Sequence, residues 1–299
     1  MNATMIVNPR AGRCKAPAIA EAARAELSRG GWDVVVVTTD APGHGVELAH
    51  RAATDGADVV LACGGDGTLS EVVSGLFDTD VPASLIPAGT GNDFSRTLGL
   101  GLSPEGVAKQ LLTGSEQHVD MMEIAGGRFH SLNVIGLGFD AGVAVRINRR
   151  RRFAGGKTAY LTAVAQELFA NQPVEARVEV DGEVWEGKAL LVAIANAKSY
   201  GAGLMIAPLA DIRDGELDVV IIEAVGKLAF VRSFSLMLKG TLHTDPRVRT
   251  IRGKQVLVET SEPTPVLVDG DIQLDTPLAV RILPQRARLW LPQTDGATD

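Results

Sequence analysis

Three stretches near the start of the chain combine glycine with carboxylate and amide side chains: Asn8-Pro9-Arg10-Ala11-Gly12, Gly64-Gly65-Asp66-Gly67-Thr68-Leu69-Ser70 and Gly89-Thr90-Gly91-Asn92-Asp93. Each follows a short apolar run. Glycine has no Cβ, so its backbone approaches a ligand closely or takes positive φ, and the N–H groups of a strand-to-helix turn favour an anion. A phosphate fits that description. Asp66 and Asp93 would repel a bare phosphate. A divalent cation bridges phosphate oxygens and carboxylates, so the two aspartates imply a nucleoside triphosphate with Mg2+. Arg10, Arg13 and Lys15 can lend positive charge to a polyphosphate. Plain structural readings stand beside these: a tight turn for the glycines, helix N-terminal caps for the aspartates, a solvated basic loop for the cations. There is no Walker A sequence, no Gly-x-Gly-x-x-Gly opening a first helix and no Gly-x-Ser-x-Gly elbow. P-loop, Rossmann dinucleotide and serine-hydrolase readings therefore lose their main support.

The elements that must position these residues show in the periodicity. Residues 5–7, 34–37, 59–62 and 85–86 read as strands, and residues 16–27, 46–53 and 69–77 carry apolar residues at helical period. Thr68 and Glu71 have capping-box spacing at the start of the third helix. Ser103-Pro104-Glu105 reads as an N-cap with proline at N1 before a helix over 107–112, which Gly114 stops. Strands separated by single helices imply right-handed crossovers and a parallel sheet covered on both faces. All three loops then emerge at the carboxyl edge of that sheet, where ligands bind. Residues 1–117 are expected to form this α/β nucleotide-binding domain.

After His118 the chain becomes strand-rich, with hairpin signals at Asp181-Gly182 and Asp269-Gly270 and helical stretches over 157–170 and 227–238. A mostly antiparallel, β-rich acceptor domain is expected over 118–285, followed by a closing segment over 286–299 whose residues 287–291 read as a strand. A length of 299 residues, 45% of them apolar and 22% charged, suits a globular chain of two domains. A net charge of −7 argues against a nucleic-acid binder held by bulk positive field. Cys14 and Cys63 are too few for a disulfide framework or a zinc site, and the five histidines lack metal spacing, so a reducing cytoplasm is the expected compartment. No secretory or membrane-spanning segment is evident. Arg146, Arg149, Arg150, Arg151 and Arg152, followed by Phe153, Lys157, Tyr160 and Leu161, form a cationic stretch leading into an apolar one. That pattern suits transient docking on the inner face of an anionic membrane, with a solvated loop as the plain alternative. Homo-oligomerisation is left open.

Taken in this order, the glycine-rich stretches resemble the nucleotide motifs of the diacylglycerol kinase catalytic family, in particular its soluble bacterial lipid kinases. Asn133-x-x-Gly136-x-Gly138-Phe139-Asp140-Ala141, Pro208-x-Ala210-x-x-x-Asp214-Gly215-x-Leu217-Asp218 and Val268-Asp269-Gly270-Asp271 resemble its second-domain landmarks, so the likeness spans nearly the whole chain. The resemblance implies an ATP-dependent lipid kinase acting on diacylglycerol or a related lipid. It implies ATP between the domains, contacted by Asn8, Pro9, Arg10, Ala11, Gly12, Thr39, Gly64, Gly65, Asp66, Gly67, Thr68, Leu69, Ser70, Thr90 and Asn92. Asp66, Asp93 and Asp120 would organise catalytic Mg2+, and a structural Mg2+ would lie at Asp211, Asp214 and Glu216. The family's base stands in an Asp-Gly-Glu motif. Here Asp271 replaces the glutamate, one methylene shorter, so either Asp271 or Asp269 would take the acceptor proton. Two other readings remain. One is an NAD kinase-like enzyme, which shares the Gly64-to-Thr68 loop; the other is a nucleotide- or lipid-binding module without catalysis.

Overall fold

The computed structural model of the protein describes residues 1–139, 142, 143, 173–201, 203–224, 226–269 and 271–293. The chain forms two units, residues 1–121 together with the segment from Gln285 onward, and residues 122–284. The first is an α/β unit with parallel strands; the second is mostly antiparallel β.

In the first unit β1 (Asn2–Val7), β2 (Asp33–Thr38), β3 (Val59–Gly64) and β4 (Ala83–Pro87) lie parallel in the order β4-β3-β1-β2. Every residue of β3 and β4 is buried, which is why these strands read as unbroken apolar runs rather than alternating ones. The crossovers are α2 (Ala16–Arg29), which packs with α6 (Pro104–Leu112), and α3 (His44–Thr54), which packs with α4 (Asp66–Gly75). Short helical turns α1 (Ala11–Cys14) and α5 (Asp93–Thr97) follow β1 and β4. Ser103 caps α6 as its spacing predicts, its Oγ accepting from the Gly106 N–H at 3.0 Å. The closing strand is much longer than residues 287–291. It is β15 (Leu278–Pro292), and Leu289 sits beside Ala83 in parallel with β4. Burial of Ala287, Leu289 and Leu291 fixes that end, and the Trp290 Nε1 donates to the Leu111 carbonyl at 2.9 Å.

The strand β5 (Gly114–Ile124) runs from the first unit into the second, which contains β6 (Phe129–Ser131), β7 (Val134–Gly138), β8 (Val174–Val180), β9 (Glu183–Ala195), β10 (Leu217–Glu223), β11 (Val248–Gly253), β12 (Gln255–Thr260), β13 (Pro265–Val268) and β14 (Asp271–Asp275). The ladders among these strands are antiparallel, in the order β14-β13-β7-β9-β8-β12, with β10 beside β9 and β11 beside β10. Asp181 and Gly182 both take positive φ, which a two-residue turn of this hand requires. The helix α7 (Lys227–Lys239) ends at Gly240 in a left-handed cap. The expected helix over 157–170 and the arginine-rich stretch before it lie outside the described residues. Among the described residues no helix is long and apolar enough to cross a membrane.

Candidate functional site

The loops after β1, β3 and β4 are tied to one another by their own backbones. Asn8 donates its N–H to the Cys63 carbonyl at 3.0 Å, its Nδ2 to Thr68 Oγ1 at 3.3 Å, and its Oδ1 accepts from the Arg10 N–H at 3.1 Å. The Ala88 and Gly89 N–H groups donate to the Gly64 carbonyl at 2.8 and 3.0 Å. Side chains are excluded where the loops meet. A Cβ on Gly12 would come within 2.2 Å of the Ala88 carbonyl oxygen, one on Gly64 within 2.3 Å of Thr68 Oγ1, and one on Gly89 within 2.6 Å of the Gly65 Cα. In these segments positive φ occurs at Gly12, Arg13, Cys14 and Asn92, whereas Gly64, Gly65 and Gly89 do not take it. Gly64 and Gly89 are glycine for want of room, not for a left-handed backbone, whereas a Cβ on Gly65 would only touch the Gly89 Cα at 3.5 Å.

The loop after β3 leads straight into α4, whose first N–H groups have no intrahelical partner. Thr68 and Leu69 donate theirs to the Gly65 carbonyl, which leaves the N–H groups of Asp66 and Gly67 at the start of the helix. Leu69 is a core residue, 1% exposed. Thr39 is also buried, its N–H donating to the Val7 carbonyl at 2.9 Å, whereas Thr90 and Arg10 are exposed and Pro9 and Ala11 half-buried. The capping-box expectation fails. Gly65 is the N-cap without a side-chain bond, and Glu71 turns away to accept from Gly43 and Gly45 N–H at 2.8 and 2.9 Å. An anion is thus already seated at the start of α3, and the start of α4 is left for another.

Asp66 and Asp93 meet. The Asp66 carboxylate accepts from the N–H of Asp93 on Oδ2 and of Phe94 on Oδ1, both at 3.1 Å, so it terminates α5 from another loop instead of capping its own helix. The residue at the α5 cap position is Asn92, whose amide brackets Gly89, accepting from its N–H at 2.9 Å and donating to its carbonyl at 3.1 Å. Burial pushes the Asp66 carboxyl above the usual carboxylate range, and the nearby Asp93 charge adds to this. Arg96 opposes it only in part, because its guanidinium also donates to the Gly91 carbonyl at 2.7 Å and to Asp93 Oδ1 at 3.3 Å. The half-buried Asp66 and the buried Asp93, near the N–H groups that open α4, suit Mg2+ held by one or two carboxylates plus phosphate oxygens. They would not build a closed protein cage, and no group of three or more metal-type side chains occurs among the described residues.

In the second unit, pairing of Val268 with Ile135 carries Asp269 past the end of β13 and beside the start of β7. Its Oδ1 accepts from the Ser131 hydroxyl at 2.8 Å, and Ser131 Oγ accepts in turn from the Asn133 N–H at 3.2 Å. Asn133 is 3% exposed, with its Oδ1 unmatched by any donor, and its carbonyl accepts from the Asn196 and Ala197 N–H groups at 3.0 and 3.1 Å. Ser131 carried no signal in the sequence; only the register of β13 against β7 reveals it. Asp271 opens β14, paired with Val268, and its side chain lies outside the description, as do Asp140, Ala141 and Gly270.

The other candidates have partners of their own. Asp120 is fully buried, with Oδ1 accepting from the Gln285 N–H at 2.7 Å. Asp211 Oδ1 accepts from the Arg213 N–H at 3.1 Å, and Asp214 Oδ1 from the Glu216 N–H at 3.0 Å. The charge among these carboxylates is the Arg252 guanidinium, paired with Asp214, with Glu216 at 3.1 Å and with the buried Asp218 at 3.6 Å. Cys63 is buried in β3, which pushes its thiol up to about 12, while Cys14 is exposed; neither forms a disulfide.

The chain thus combines a parallel α/β unit with glycine-rich loops after its strands and a mostly antiparallel β unit, the two-part plan of a kinase. Residues 2–124 match the diacylglycerol kinase catalytic domain and residues 133–291 the YegS C-terminal NAD kinase beta sandwich-like domain. A diacylglycerol kinase of Mycobacterium tuberculosis (strain ATCC 25618 / H37Rv) is 32% identical over 97% of this chain and 95% of its own. One of Bacillus subtilis (strain 168) is 27% identical over 90% and 89%. The crystal structure of a diacylglycerol kinase from Bacillus anthracis str. Sterne superposes with a TM-score of 0.79 at 25% identity, covering 98% of this chain and 97% of that one. The chain belongs to the diacylglycerol kinase family of lipid kinases.

Proposed function

We propose that the protein transfers the γ-phosphoryl group of ATP to the hydroxyl of a lipid, diacylglycerol or a close relative, with Mg2+ as cofactor. The observation that carries this is Asp66. It fastens the loop after β3 to the loop after β4 through two N–H groups, while the start of α4 keeps N–H donors for phosphate oxygens. Asn8, Gly12, Gly64, Gly65, Thr68 and Asn92 hold those loops together, and Arg10 and Thr90 are exposed beside them. Mg2+, when bound, would neutralise phosphate charge beside Asp66 and Asp93. The acceptor oxygen forms a bond to the γ-phosphorus as the bond from that phosphorus to the β–γ bridging oxygen breaks. ADP leaves, and the hydroxyl proton passes to a carboxylate, Asp269 or Asp271. Asp269 has the supporting geometry, with Ser131 fixing one oxygen. A metal at Asp214 would have to displace the Arg252 guanidinium. The lipid acceptor makes the membrane surface the natural partner.

Incubation with γ-labelled ATP, Mg2+ and extracted membrane lipids, followed by chromatography, tests the reading. One labelled lipid is expected, and it should be absent with Asp66→Asn. Label in NADP after supply of NAD, with none in lipid, would assign the chain to the NAD kinase-like alternative. Binding of ATP without any transfer would leave a non-catalytic module.

A further inference from the structure

None of the residues assigned above to nucleotide, metal or proton transfer lies on the helix α7. It contains three cations, Lys227, Arg232 and Lys239, and no acid, in a chain of net charge −7. Ser233 and Met237 turn inward: Ser233 donates to Asp245 Oδ2 at 2.8 Å, and Met237 joins the core around Ile206 and Leu242. Val231 and Leu238 are seven residues apart and so share one helix face, roughly opposite Ser233. They are 50% and 61% exposed. Arg232 and Lys239 repeat the same spacing as an exposed cationic stripe next to the apolar one. The Met205 N–H donates to the Met237 carbonyl at 3.1 Å, and the loop it begins presents Leu209, 70% exposed, before the exposed Asp211.

An apolar stripe bordered by cations matches the interface of an anionic bilayer, where aliphatic side chains enter the headgroup boundary and Arg and Lys reach phosphate. A second copy of the chain is a poorer occupant, because a two-fold contact would set these cations against themselves. We propose that α7, with Leu209, is the face by which the protein docks transiently on an anionic lipid bilayer. This rests on the reading of the acceptor as a membrane lipid.

The test is co-sedimentation of the full chain with vesicles of mixed phosphatidylglycerol and phosphatidylcholine, or of phosphatidylcholine alone. Binding is expected on the anionic vesicles, weakening with salt. The pair Arg232→Gln with Lys239→Gln should lower partitioning roughly 30-fold, and Val231→Ser with Leu238→Ser by about tenfold or more. All four positions are exposed, so the fold should persist. Transfer to a short-chain diacylglycerol in detergent micelles should be unchanged in both pairs. Variants that bind vesicles like the parent, or a parent that does not bind, overturn the proposal. So does a change in sedimentation-equilibrium mass with vesicle binding intact, which would assign the stripe to a second copy. A parent that binds vesicles but transfers no phosphate sinks the kinase reading and leaves the surface standing.

Discussion

Gly12→Ala isolates the contact between the first and last of the three loops. Gly12 has φ +55°, and an added Cβ would lie 2.2 Å from the Ala88 carbonyl oxygen. Carbon atoms rest at about 3.5 Å from their neighbours, so the two backbones must part by about 1 Å. The left-handed conformation alone costs about 1–2 kcal/mol for a residue with a Cβ, and overpacking adds about 1–3 kcal/mol. Gly31 supplies the control: its φ is +86° and nothing lies within 4 Å of an added Cβ, so Gly31→Ala carries the conformational cost without the collision. Urea denaturation should therefore place Gly12→Ala below Gly31→Ala in stability. Phosphoryl transfer should separate them further, because a 1 Å displacement of a positioning loop costs about 10²-fold in kcat/KM for ATP. Gly31→Ala should keep the parent kinetics. If Gly12→Ala retains parent kcat/KM, or if Gly31→Ala loses as much, the reasoning that these loops act as one cradle fails.

Asp66→Asn should lower kcat/KM by about 10²-fold or more, since its amide NH2 would face one of the two N–H groups that the carboxylate now accepts, and steady-state kinetics with a urea titration reads both effects. Ser131→Ala should lower kcat about tenfold with KM for ATP unchanged, and Ser131→Thr should restore it; an equal loss in both variants would mark Ser131 as mere packing. Asp245 is held down at about 2 by hydrogen bonds from Arg247, with Ser233 assisting. Its folded value lies below the ordinary 3.8, so it stabilises the fold by about 2 kcal/mol above pH 4, and that contribution disappears as pH falls through about 2. Acid titration followed by circular dichroism checks this, and Asp245→Asn should be less stable than the parent at neutral pH and lose less on acidification.

What the sequence discloses is local. The unbroken apolar runs of β3 and β4, Ser103 before Pro104, and the Asp181-Gly182 turn each carry their instruction within a few residues, and each appears in the fold as expected. Glu71 shows where that ends. Its spacing from Thr68 is that of a capping box, yet its carboxylate satisfies two N–H groups at the start of α3, because Gly45 leaves room for it: a Cβ there would lie 2.5 Å from Glu71 Oε2. The link from Asp66 to the loop of Asp93 spans 27 residues and depends on β3 and β4 being neighbours. The contact of Ser131 with Asp269 spans 138 residues and depends on the register of β13. Periodicity gives a strand's existence but neither its neighbour nor its register, and so β15 also emerged longer than its closing residues implied.

The acidic balance of the chain constrains how a polyanion can be held. At net charge −7 the protein has no bulk field to draw in a triphosphate, so attraction must come from donors within hydrogen-bond reach. On the proposed function, the first unit would supply them at the start of α4, from which nearby carboxylates turn aside. Glu71 fills the start of α3, and Asp66 spends both oxygens on the start of α5. The beginning of α4, between Gly65 and Thr68, remains. Asp66 and Asp93 meanwhile leave their mutual repulsion only partly offset by Arg96, since that guanidinium is shared with the Gly91 carbonyl. A cation brought in with the nucleotide would relieve that repulsion as it neutralised phosphate, so the same two carboxylates that disfavour a bare anion favour its metal complex. If the protein acts as proposed, selectivity for the complex over the free triphosphate would follow from the placement of these two aspartates.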